Sequence, residues 1–354
     1  MLGWRRFVWV GVGGSAAILV LLALFILAMN PYGNLPRILF AEHAITDINQ
    51  RFQFPALIRS GAYDSAVIGA SDSRLLRPAE LERVFGGRFV NLAINAGQAY
   101  EQYRLADLFM REVAHPRTLL IGLDHVWCDD DADTVRTTFR GFPDWMYDDN
   151  SWNDFGYMLN ASAIEISGRR LGVALGINEA RFPAGYEVFT PPETAYDPVK
   201  VRHKLWKDEE PHAIVAAVPA YVPTSTERSR WRFPALAWLD EITRRFEGRV
   251  VLTFMPVHVA SQPLPGSVEA ARLDECKARI VAVAKGKSAP VIDFDIASEI
   301  TTDDANYWDP LHYRVGIAER IVADIERALA TRQDDPAGDW RYLDGPRAVA
   351  VSSD

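Results

Sequence analysis

The chain has 354 residues, of which 49% are hydrophobic and 24% are charged, and its formal net charge is −9 at pH 7. This length and composition fit one large globular domain or two small ones. The acidic balance and the lack of a stripe of Lys and Arg argue against nucleic acid as a partner, because its binding depends on clustered positive charge.

The first thirty residues predict a membrane anchor. Phe7 to Met29 is a run of 23 residues without a charge, and a helix of that length spans a hydrocarbon core of about 30 Å. Arg5 and Arg6 precede the run, so the positive-inside bias predicts a cytoplasmic N-terminus and an extracytoplasmic remainder. A cleaved signal peptide is the alternative, but its apolar region is shorter and ends in a small-residue cleavage site. We therefore predict a single-pass protein of the inner (cytoplasmic) membrane, with residues 1–30 as its cytoplasmic tip and anchor and the rest in the periplasm.

Short apolar segments alternate with helical patterns after the anchor. The segments predicted as strands are Ser65–Gly69, Arg88–Leu92, Thr118–Gly122, Val250–Phe254 and Pro290–Asp293. Near-continuous apolar strands separated by helices are typical of an α/β fold whose parallel sheet is covered on both faces. Such sheets bind ligands at the carboxyl ends of their strands, so we look for function there.

The chain beyond the anchor divides into a domain and a tail. We predict one α/β domain over residues 31–331, with an aromatic-rich insertion of poor periodicity at about 125–228. The rings of the insertion either pack it against the core or line a groove for sugars, and both interpretations remain open. Residues 332–354 are polar and are expected to be extended or loosely docked.

Two features outside the strands bear on metals and redox state. Cys128 and Cys276 do not form a metal-binding spacing and are expected to be free buried thiols, although an oxidising compartment would permit a bridge. The acidic run at residues 129–133 lacks the spacing and distal glutamate of an EF-hand loop, so we expect a solvated loop there.

Ser71 is the candidate nucleophile. It follows the strand Ser65–Gly69, and a strand that ends in glycine lets the chain turn sharply and expose the next serine at the edge of the sheet. The following backbone N–H groups then face the same cavity, where they can stabilise an oxyanion. Ser73 is an alternative nucleophile that lies further from the strand, and an incidental turn serine also fits this motif by itself.

Asp309 and His312 are the candidate partners of Ser71. An aspartate three residues before a histidine can fold back in one turn, so that its carboxylate orients the imidazole while the other ring nitrogen accepts a proton from serine. Pro310 favours the extended or turn geometry that this contact needs at Asp309. A surface histidine beside an aspartate at a helix N-terminus is the alternative.

A small-residue turn after the second strand offers donors for an oxyanion. The backbone N–H groups of Ala96 or Gly97 and the side chain of Asn95 can join the N–H of Ser71 in this role, although a plain connecting turn also fits. Two further residues are candidates for substrate binding. Arg74 can bind a carboxylate or a sugar oxygen, or form a salt bridge, and His258 follows a strand that ends at the same edge.

These motifs occur in the order found in a known superfamily. Gly69-Ala70-Ser71, the turn at residues 91–97 and Asp309-x-x-His312 together resemble the SGNH (GDSL) hydrolases over about residues 65–330, with the middle segment unaligned. The phrases VIGASDSRLLRPAEL and YWDPLHYRVG look like a membrane-anchored branch that includes bacterial envelope and alginate O-acetylation proteins. The resemblance implies a three-layer α/β/α, flavodoxin-like fold and a Ser-His-Asp triad that needs no metal or organic cofactor.

The resemblance also implies a function and exposes one departure from the family. It implies an acyl, and by analogy acetyl, esterase or O-acyltransferase that acts on exported or cell-envelope glycans or an acylated small molecule, within an envelope-synthesis complex. A lipase or thioesterase and a non-catalytic binding or scaffold module are the alternatives. Where the family has Gly-x-Asn-Asp, this chain has Gly122-Leu123-Asp124. An ionised aspartate accepts hydrogen bonds and repels an oxyanion, so Asp124 cannot simply take over the role of the asparagine.

Overall fold

The computed structural model describes residues 2–35, 49–150, 154–207, 214 and 216–343. The α-helices in these residues are α1 (Leu2–Met29), α2 (Gln50–Ile58), α3 (Pro78–Phe85), α4 (Ala99–Glu112), α5 (Asp154–Met158), α6 (Ala161–Ala174), α7 (Pro198–Trp206), α8 (Ser225–Arg230), α9 (Leu236–Arg245), α10 (Val268–Lys285), α11 (Glu299–Thr302) and α12 (Val315–Thr331). The strands are β1 (Ser65–Ile68), β2 (Phe89–Asn91), β3 (Thr118–Leu123), β4 (Arg249–Phe254), β5 (Val291–Asp293) and β6 (Arg341–Leu343).

The strands form one sheet in the order β2-β1-β3-β4-β5-β6. The first five are parallel, and β6 pairs antiparallel with β5. Every residue of β1, β2, β3 and β5 is buried, as the unbroken apolar runs of the sequence predicted for a sheet covered on both faces. The predicted α/β class and mostly parallel sheet are therefore confirmed.

The topology brings the ends of three strands together. Strand β1 lies between β2 and β3, so right-handed crossovers place α3 and α4 on opposite faces of the sheet. Helix α3 packs with α12, while α4 packs with α9 and α9 with α10. Because β1, β2 and β3 are parallel neighbours, the loops that follow them meet at one edge of the sheet.

The segment that follows α12 differs from the expectation of a loosely docked tail. Trp340 is 2% exposed, its ring lies 6.3 Å from that of Phe294, and the Arg327 guanidinium lies 4.7 Å from its centroid. Burial of this ring holds β6 against β5, which would otherwise be an edge strand with unpaired backbone groups. Residues 344–354 of the predicted tail lie outside the described residues.

Cys128 and Cys276 form a disulfide, so the expectation of free thiols is wrong. Their Cα atoms are 5.7 Å apart although 148 residues separate them in the sequence. Cys128 lies in the loop after β3, and Cys276 is a buried residue of α10. The physical reason is the packing of distant segments, which sequence spacing does not reveal.

The chain divides into two compact units, which are Met1–Ala62 with Phe142–Gly185 and Tyr63–Gly141 with Tyr186–Asp354. We call them unit 1 and unit 2. The whole sheet and all the predicted site residues belong to unit 2. The segment predicted as an insertion at about 125–228 is thus shared, with residues 142–185 in unit 1 and the remainder in unit 2.

Helix α1 belongs to unit 1 and is, within the described part of the chain, the one helix long and apolar enough to cross a membrane. Residues 3–21 are exposed, whereas Ile26 and Met29 near its C-terminal end are 2% and 5% exposed. Helix α6 packs against α1, and Arg170 of α6 donates a hydrogen bond of 2.5 Å to the carbonyl oxygen of Asn30. The last turns of α1 are therefore part of the folded unit.

Candidate active site

The loop after β1 carries Ser71 at the start of a turn of 3-10 helix over Ser71–Leu75. Ser73 in this turn packs against the ends of β1 and β3. A Cβ atom at Gly69 would lie 2.4 Å from Ser73 Oγ, and one at Gly122 would lie 1.9 Å from it. Both distances are far below van der Waals contact, so the close approach of the turn requires glycine at both strand ends.

The two serines of this turn differ in access. Ser73 is 0% exposed, and its hydroxyl donates a hydrogen bond of 3.2 Å to Asp72 Oδ1. Ser71 is partly exposed. A nucleophile must be reached by the substrate, so the geometry favours Ser71 over the alternative, Ser73.

Two buried side chains fix the nucleophile loop. Asn91, the last residue of β2, donates from Nδ2 to the carbonyl oxygens of Ser73 at 3.0 Å and Leu76 at 2.9 Å. Tyr313 donates its hydroxyl to the carbonyl oxygen of Asp72. Because Tyr313 follows His312 directly, this bond ties the nucleophile loop to the loop that carries the histidine.

The structure brings Ser71, His312 and Asp309 into one chain of hydrogen bonds. His312 Nε2 lies 2.8 Å from Ser71 Oγ, and His312 Nδ1 lies 2.8 Å and 2.9 Å from the two carboxylate oxygens of Asp309. With a proton on Nδ1, Nε2 presents a lone pair to the serine hydroxyl, which is the arrangement of a general base. The His312 side chain is 23% exposed, so a substrate can approach it.

The turn from Asp309 to His312 positions the carboxylate. Asp309 Oδ1 accepts hydrogen bonds of 3.0 Å from the backbone N–H groups of Leu311 and His312, in addition to the imidazole contact. Burial opposes ionisation of Asp309, but the hydrogen bond and charge of His312 and these two N–H groups hold its pKa below the ordinary value. The carboxylate is therefore ionised and oriented at neutral pH.

Phe189 contacts the imidazole of His312, and Arg74 contacts Phe189. The ring of Phe189 meets His312 edge-on at 5.3 Å, and the Arg74 guanidinium lies 4.3 Å from the centroid of Phe189. Arg74 is 5% exposed, forms a 2.8 Å ion pair with Glu187 and donates a hydrogen bond to Asn95 Oδ1. Its guanidinium is thus engaged within unit 2, which fits the salt-bridge alternative better than direct substrate binding.

The turn after β2 lies beside the nucleophile loop. The backbone N–H of Ile94 donates a 3.0 Å hydrogen bond to the carbonyl oxygen of Gly69. Ala96 has φ of +46°, and a Cβ at Gly97 would lie 2.5 Å from Ile94 Cγ1, so the turn needs glycine at this position. Arg74 donates a hydrogen bond to Asn95 Oδ1 and so fixes the carboxamide of Asn95. The donor atom of that carboxamide, Nδ2, then points away from Arg74. The role of Asn95, Ala96 and Gly97 as oxyanion donors stays a prediction.

Two acidic side chains lie close to the nucleophile. Asp72 is 7% exposed, and burial raises its pKa to about 8, with the charge of Asp124 adding to the rise. Burial likewise raises the pKa of Asp124 to about 7, with a further contribution from Asp129 that a hydrogen bond from the Val126 N–H opposes. Both carboxyl groups therefore bind a proton more tightly than an ordinary aspartate does, and Asp72 binds it more tightly than Asp124.

His258 occupies a different environment from the one expected. Its side chain is 0% exposed, and the rings of Trp206 and Tyr307 meet it edge-on at 5.5 Å and 5.2 Å. Nδ1 accepts a 3.2 Å hydrogen bond from the Ala260 N–H, and Nε2 lies 3.2 Å from Asp304 Oδ1 without the alignment of a hydrogen bond. Burial lowers the pKa of His258, although Asp304 opposes the shift.

This burial corrects the prediction that His258 contacts the substrate. A side chain without exposed surface can meet a substrate only if its surroundings rearrange. The backbone of His258 instead supports the site, since its N–H donates a 2.9 Å hydrogen bond to the carbonyl oxygen of Pro310. His258 therefore holds the loop between Asp309 and His312.

Compared with protein-family models and with curated proteins, the chain has no match. Among the described residues, no group of three or more His, Cys, Asp or Glu side chains is arranged to hold a metal ion. The chemistry of the site must therefore be inferred from the side chains themselves.

Proposed function

We propose that this protein is an SGNH-type serine esterase or O-acyltransferase. The observation that carries the proposal is the continuous hydrogen-bonded chain from Asp309 through His312 to Ser71. Ser71 Oγ attacks an acyl carbonyl, His312 Nε2 accepts the hydroxyl proton, and Asp309 stabilises the imidazolium. The acyl group then passes from Ser71 to water or to a sugar hydroxyl, and His312 removes the proton of that acceptor.

The order of strands supports this assignment. The order 2-1-3-4-5 is that of flavodoxin-like folds, in which ligands bind at the carboxyl ends of the strands. Ser71 follows β1, the turn at residues 95–97 follows β2, and the Asp309-x-x-His312 motif precedes α12. These positions agree with the order of motifs on which the resemblance to SGNH hydrolases rests.

The anchor and the disulfide support a location outside the cytoplasm. The apolar helix α1 begins just after Met1 and carries Arg5 and Arg6 near its N-terminal end, which favours a cytoplasmic N-terminus. The Cys128–Cys276 disulfide belongs to unit 2, and disulfides persist in oxidising compartments such as the periplasm. We infer a single-pass inner-membrane protein with an extracytoplasmic active site. By resemblance, its acyl group is acetyl, its other substrate is an exported or envelope glycan, and its setting is an envelope-synthesis complex.

One observation favours a second candidate function. Asp124 stands where the resembled family has an asparagine that donates to the oxyanion, and this departure fits a scaffold module that keeps the fold without the chemistry. The intact geometry of the triad supports catalysis instead. The aromatic ring of Phe189, which lies 5.3 Å from that of His312, also differs from the aliphatic lining expected of a lipase or thioesterase.

Labelling with a fluorophosphonate probe tests the proposed nucleophile. The full-length chain in detergent is the appropriate sample, because truncation after residue 30 would remove the buried Ile26 and Met29 from unit 1. Wild type and the matched control Ser73→Ala are expected to react, while Ser71→Ala is not. Equal reaction of wild type and Ser71→Ala would overturn the assignment, and a folded wild type that does not react would favour the scaffold.

Acyl-chain preference then separates the remaining enzymes. An acetyl esterase or acetyltransferase is expected to cleave acetyl esters faster than long-chain esters, whereas a lipase has the reverse preference. A sugar acceptor added to the assay distinguishes transfer from hydrolysis, because transfer yields an acetylated sugar in place of free acetate.

A further inference from the structure

The exposed apolar part of α1 is shorter than the hydrocarbon core of a bilayer. Residues 7–21 carry no charge and are all exposed, and at 1.5 Å per residue they are about 22 Å long. The hydrocarbon core is about 30 Å thick, and the guanidinium groups of Arg5 and Arg6 are expected to stay at its edge. An α1 that spans the bilayer therefore needs about 8 Å more of apolar helix, which corresponds to about five further residues.

The residues that supply this length are 22–26, and unit 1 already covers them in part. Residues 22, 23 and 25 are half-buried, Ile26 is buried and Leu24 is exposed. When α1 spans the bilayer, these residues lie within the hydrocarbon core. The part of unit 1 that packs on them is then at the same depth, so some of its surface is expected to meet acyl chains.

Helix α6 is the element of unit 1 that packs against α1. It starts beside the segment that follows α1, because Asn34 donates a 2.6 Å hydrogen bond to Asp154 of α5, and α5 ends just before α6 begins. Further along α6, Arg170 donates its hydrogen bond to the carbonyl oxygen of Asn30. Helix α6 thus runs from the level of Asn34 past Asn30 and along α1, and its C-terminal end lies on the side of the bilayer.

This end of α6 carries an apolar tip, which we define as residues 171–177. The sequence of the tip, LGVALGI, contains no charge, and the side chains of Leu175 and Ile177 are 64% and 74% exposed. The preceding turns of α6 differ, since Glu165 and Arg169 form an exposed ion pair of 2.6 Å there. An exposed aliphatic surface that follows a charged one, next to a membrane-spanning helix, is typical of a segment that enters the bilayer interface.

The backbone of the apolar tip is suited to an environment without water. The N–H groups of residues 175–178 all donate hydrogen bonds of 2.8 to 3.1 Å to carbonyl oxygens in the last turn of α6. Gly176 closes this turn with φ of +69°, a conformation that favours glycine. An unpaired backbone donor is costly in lipid, whereas a turn whose donors are paired can enter it.

We propose that unit 1 docks on the membrane through the apolar tip, with Leu175 and Ile177 inserted among the acyl chains beside α1. This inference rests on the proposed membrane anchor and does not depend on the proposed esterase or acyltransferase chemistry. A lipid bilayer is favoured over a protein as the partner, because α1 places the bilayer next to the tip and the missing length of apolar helix brings the tip to its depth. Unit 1 then holds the membrane at two points, which are α1 and the tip.

Fluorescence quenching in proteoliposomes that contain the full-length protein tests the docking. The two native cysteines form a disulfide, so Ile177→Cys provides a single free thiol for a bimane label. One quencher is a nitroxide on the acyl chains of phosphatidylcholine, and the other is iodide in the water. Ile18→Cys, on the exposed part of α1, is the control for lipid. Leu159→Cys is the control for water, because this residue is 49% exposed at the opposite end of α6, about 20 Å from the tip.

The label at Ile177 should behave like the label at Ile18, with strong quenching by the lipid nitroxide and little by iodide. The label at Leu159 should show the reverse. Leu175→Cys should repeat the result for Ile177 and keeps the test decisive if one labelled variant does not fold.

Iodide quenching at Ile177 equal to that at Leu159 would overturn the docking. Shielding from both quenchers would also overturn it, because the tip would then lie against a second copy of the chain. Iodide quenching at Ile18 would overturn the anchor and the docking together. A failure of the proposed enzymatic function is separate from all of these outcomes, since it appears in the fluorophosphonate labelling of Ser71.

Discussion

Removal of the disulfide between Cys128 and Cys276 should destabilise unit 2 strongly. The bond closes a loop with a sequence separation of 148 residues. In the chain-entropy model, cross-linking a loop of this size lowers the entropy of the unfolded chain enough to stabilise the fold by about 5 kcal/mol at 25 °C. Measured values typically fall between about 2 and 5 kcal/mol, because unfolded chains retain some structure. We expect Cys128→Ser with Cys276→Ser to lose a free energy of unfolding in this range.

Urea unfolding of the full-length protein in detergent, followed by the fluorescence of its tryptophans, measures this loss. The oxidised wild type, the reduced wild type and the double serine variant should be compared, and the last two should agree. Thiol titration of denatured, unreduced wild type provides the covalent control and should find no free thiol. Two reactive thiols in that sample would refute the bond, and a loss below about 1 kcal/mol in the double variant would refute the loop-entropy estimate.

Two further predictions concern the carboxyl groups of the site. Asp309→Asn leaves the imidazole without its charged acceptor and favours the wrong tautomer of His312. The kcat for an acetyl ester should therefore fall by about 10³–10⁴. A variant with the kcat of wild type would contradict the triad. Burial raises the pKa of Asp124 to about 7 and that of Asp72 to about 8, so the folded protein binds protons that the unfolded chain releases above about pH 4. The free energy of unfolding that these groups contribute should therefore decrease from about pH 5 to pH 7. Urea titrations at several pH values should show that Asp124→Asn reduces this slope by up to about 1.4 kcal/mol per pH unit. An unchanged slope would show that Asp124 titrates normally.

Local pattern was sufficient to predict the sheet and the partners of Ser71. Buried strands such as β3 are short and apolar throughout, and this property is visible without knowledge of their neighbours. The contact between Asp309 and His312 spans three residues, so one turn creates it. Ser71 lies 241 residues from His312 in the sequence. The two residues could still be predicted at one site, because the loops that carry them lie at the carboxyl edge of a parallel sheet.

Features that depend on packing between distant segments could not be predicted in this way. The partnership of Cys128 and Cys276 follows from the contact between a loop and α10, and no spacing signals it. His258 follows a strand just as a site residue would, but the rings of Trp206 and Tyr307 enclose it. The same limit applies to Asp124, since its raised pKa arises from burial and from neighbours that fold around it.

Residues that support the site from a distance had weak sequence signals. Asn91 at the end of β2 was visible as a polar residue in an apolar strand, a pattern that indicates a buried hydrogen-bonding role. Tyr313 stood next to the predicted base, but its bond to Asp72 depends on the meeting of two loops. Phe189 and Glu187 lie in the aromatic-rich segment, where nothing in the pattern distinguishes them from their neighbours.

The uninterrupted course of α1 has a mechanical consequence. Its exposed part, residues 3–21, is about 28 Å long at 1.5 Å per residue and continues as one helix into the turns around Ile26 and Met29, which are buried in unit 1. No linker separates the two parts, so unit 1 cannot swivel about the helix. Inserting one residue between them would turn the exposed surface by about 100° relative to unit 1 and shift it by about 1.5 Å along the axis. In a bilayer, the depth of this helix would therefore determine the distance of unit 1 from the membrane surface. The rotation of the helix about its axis would determine which face of unit 1 points in a given direction.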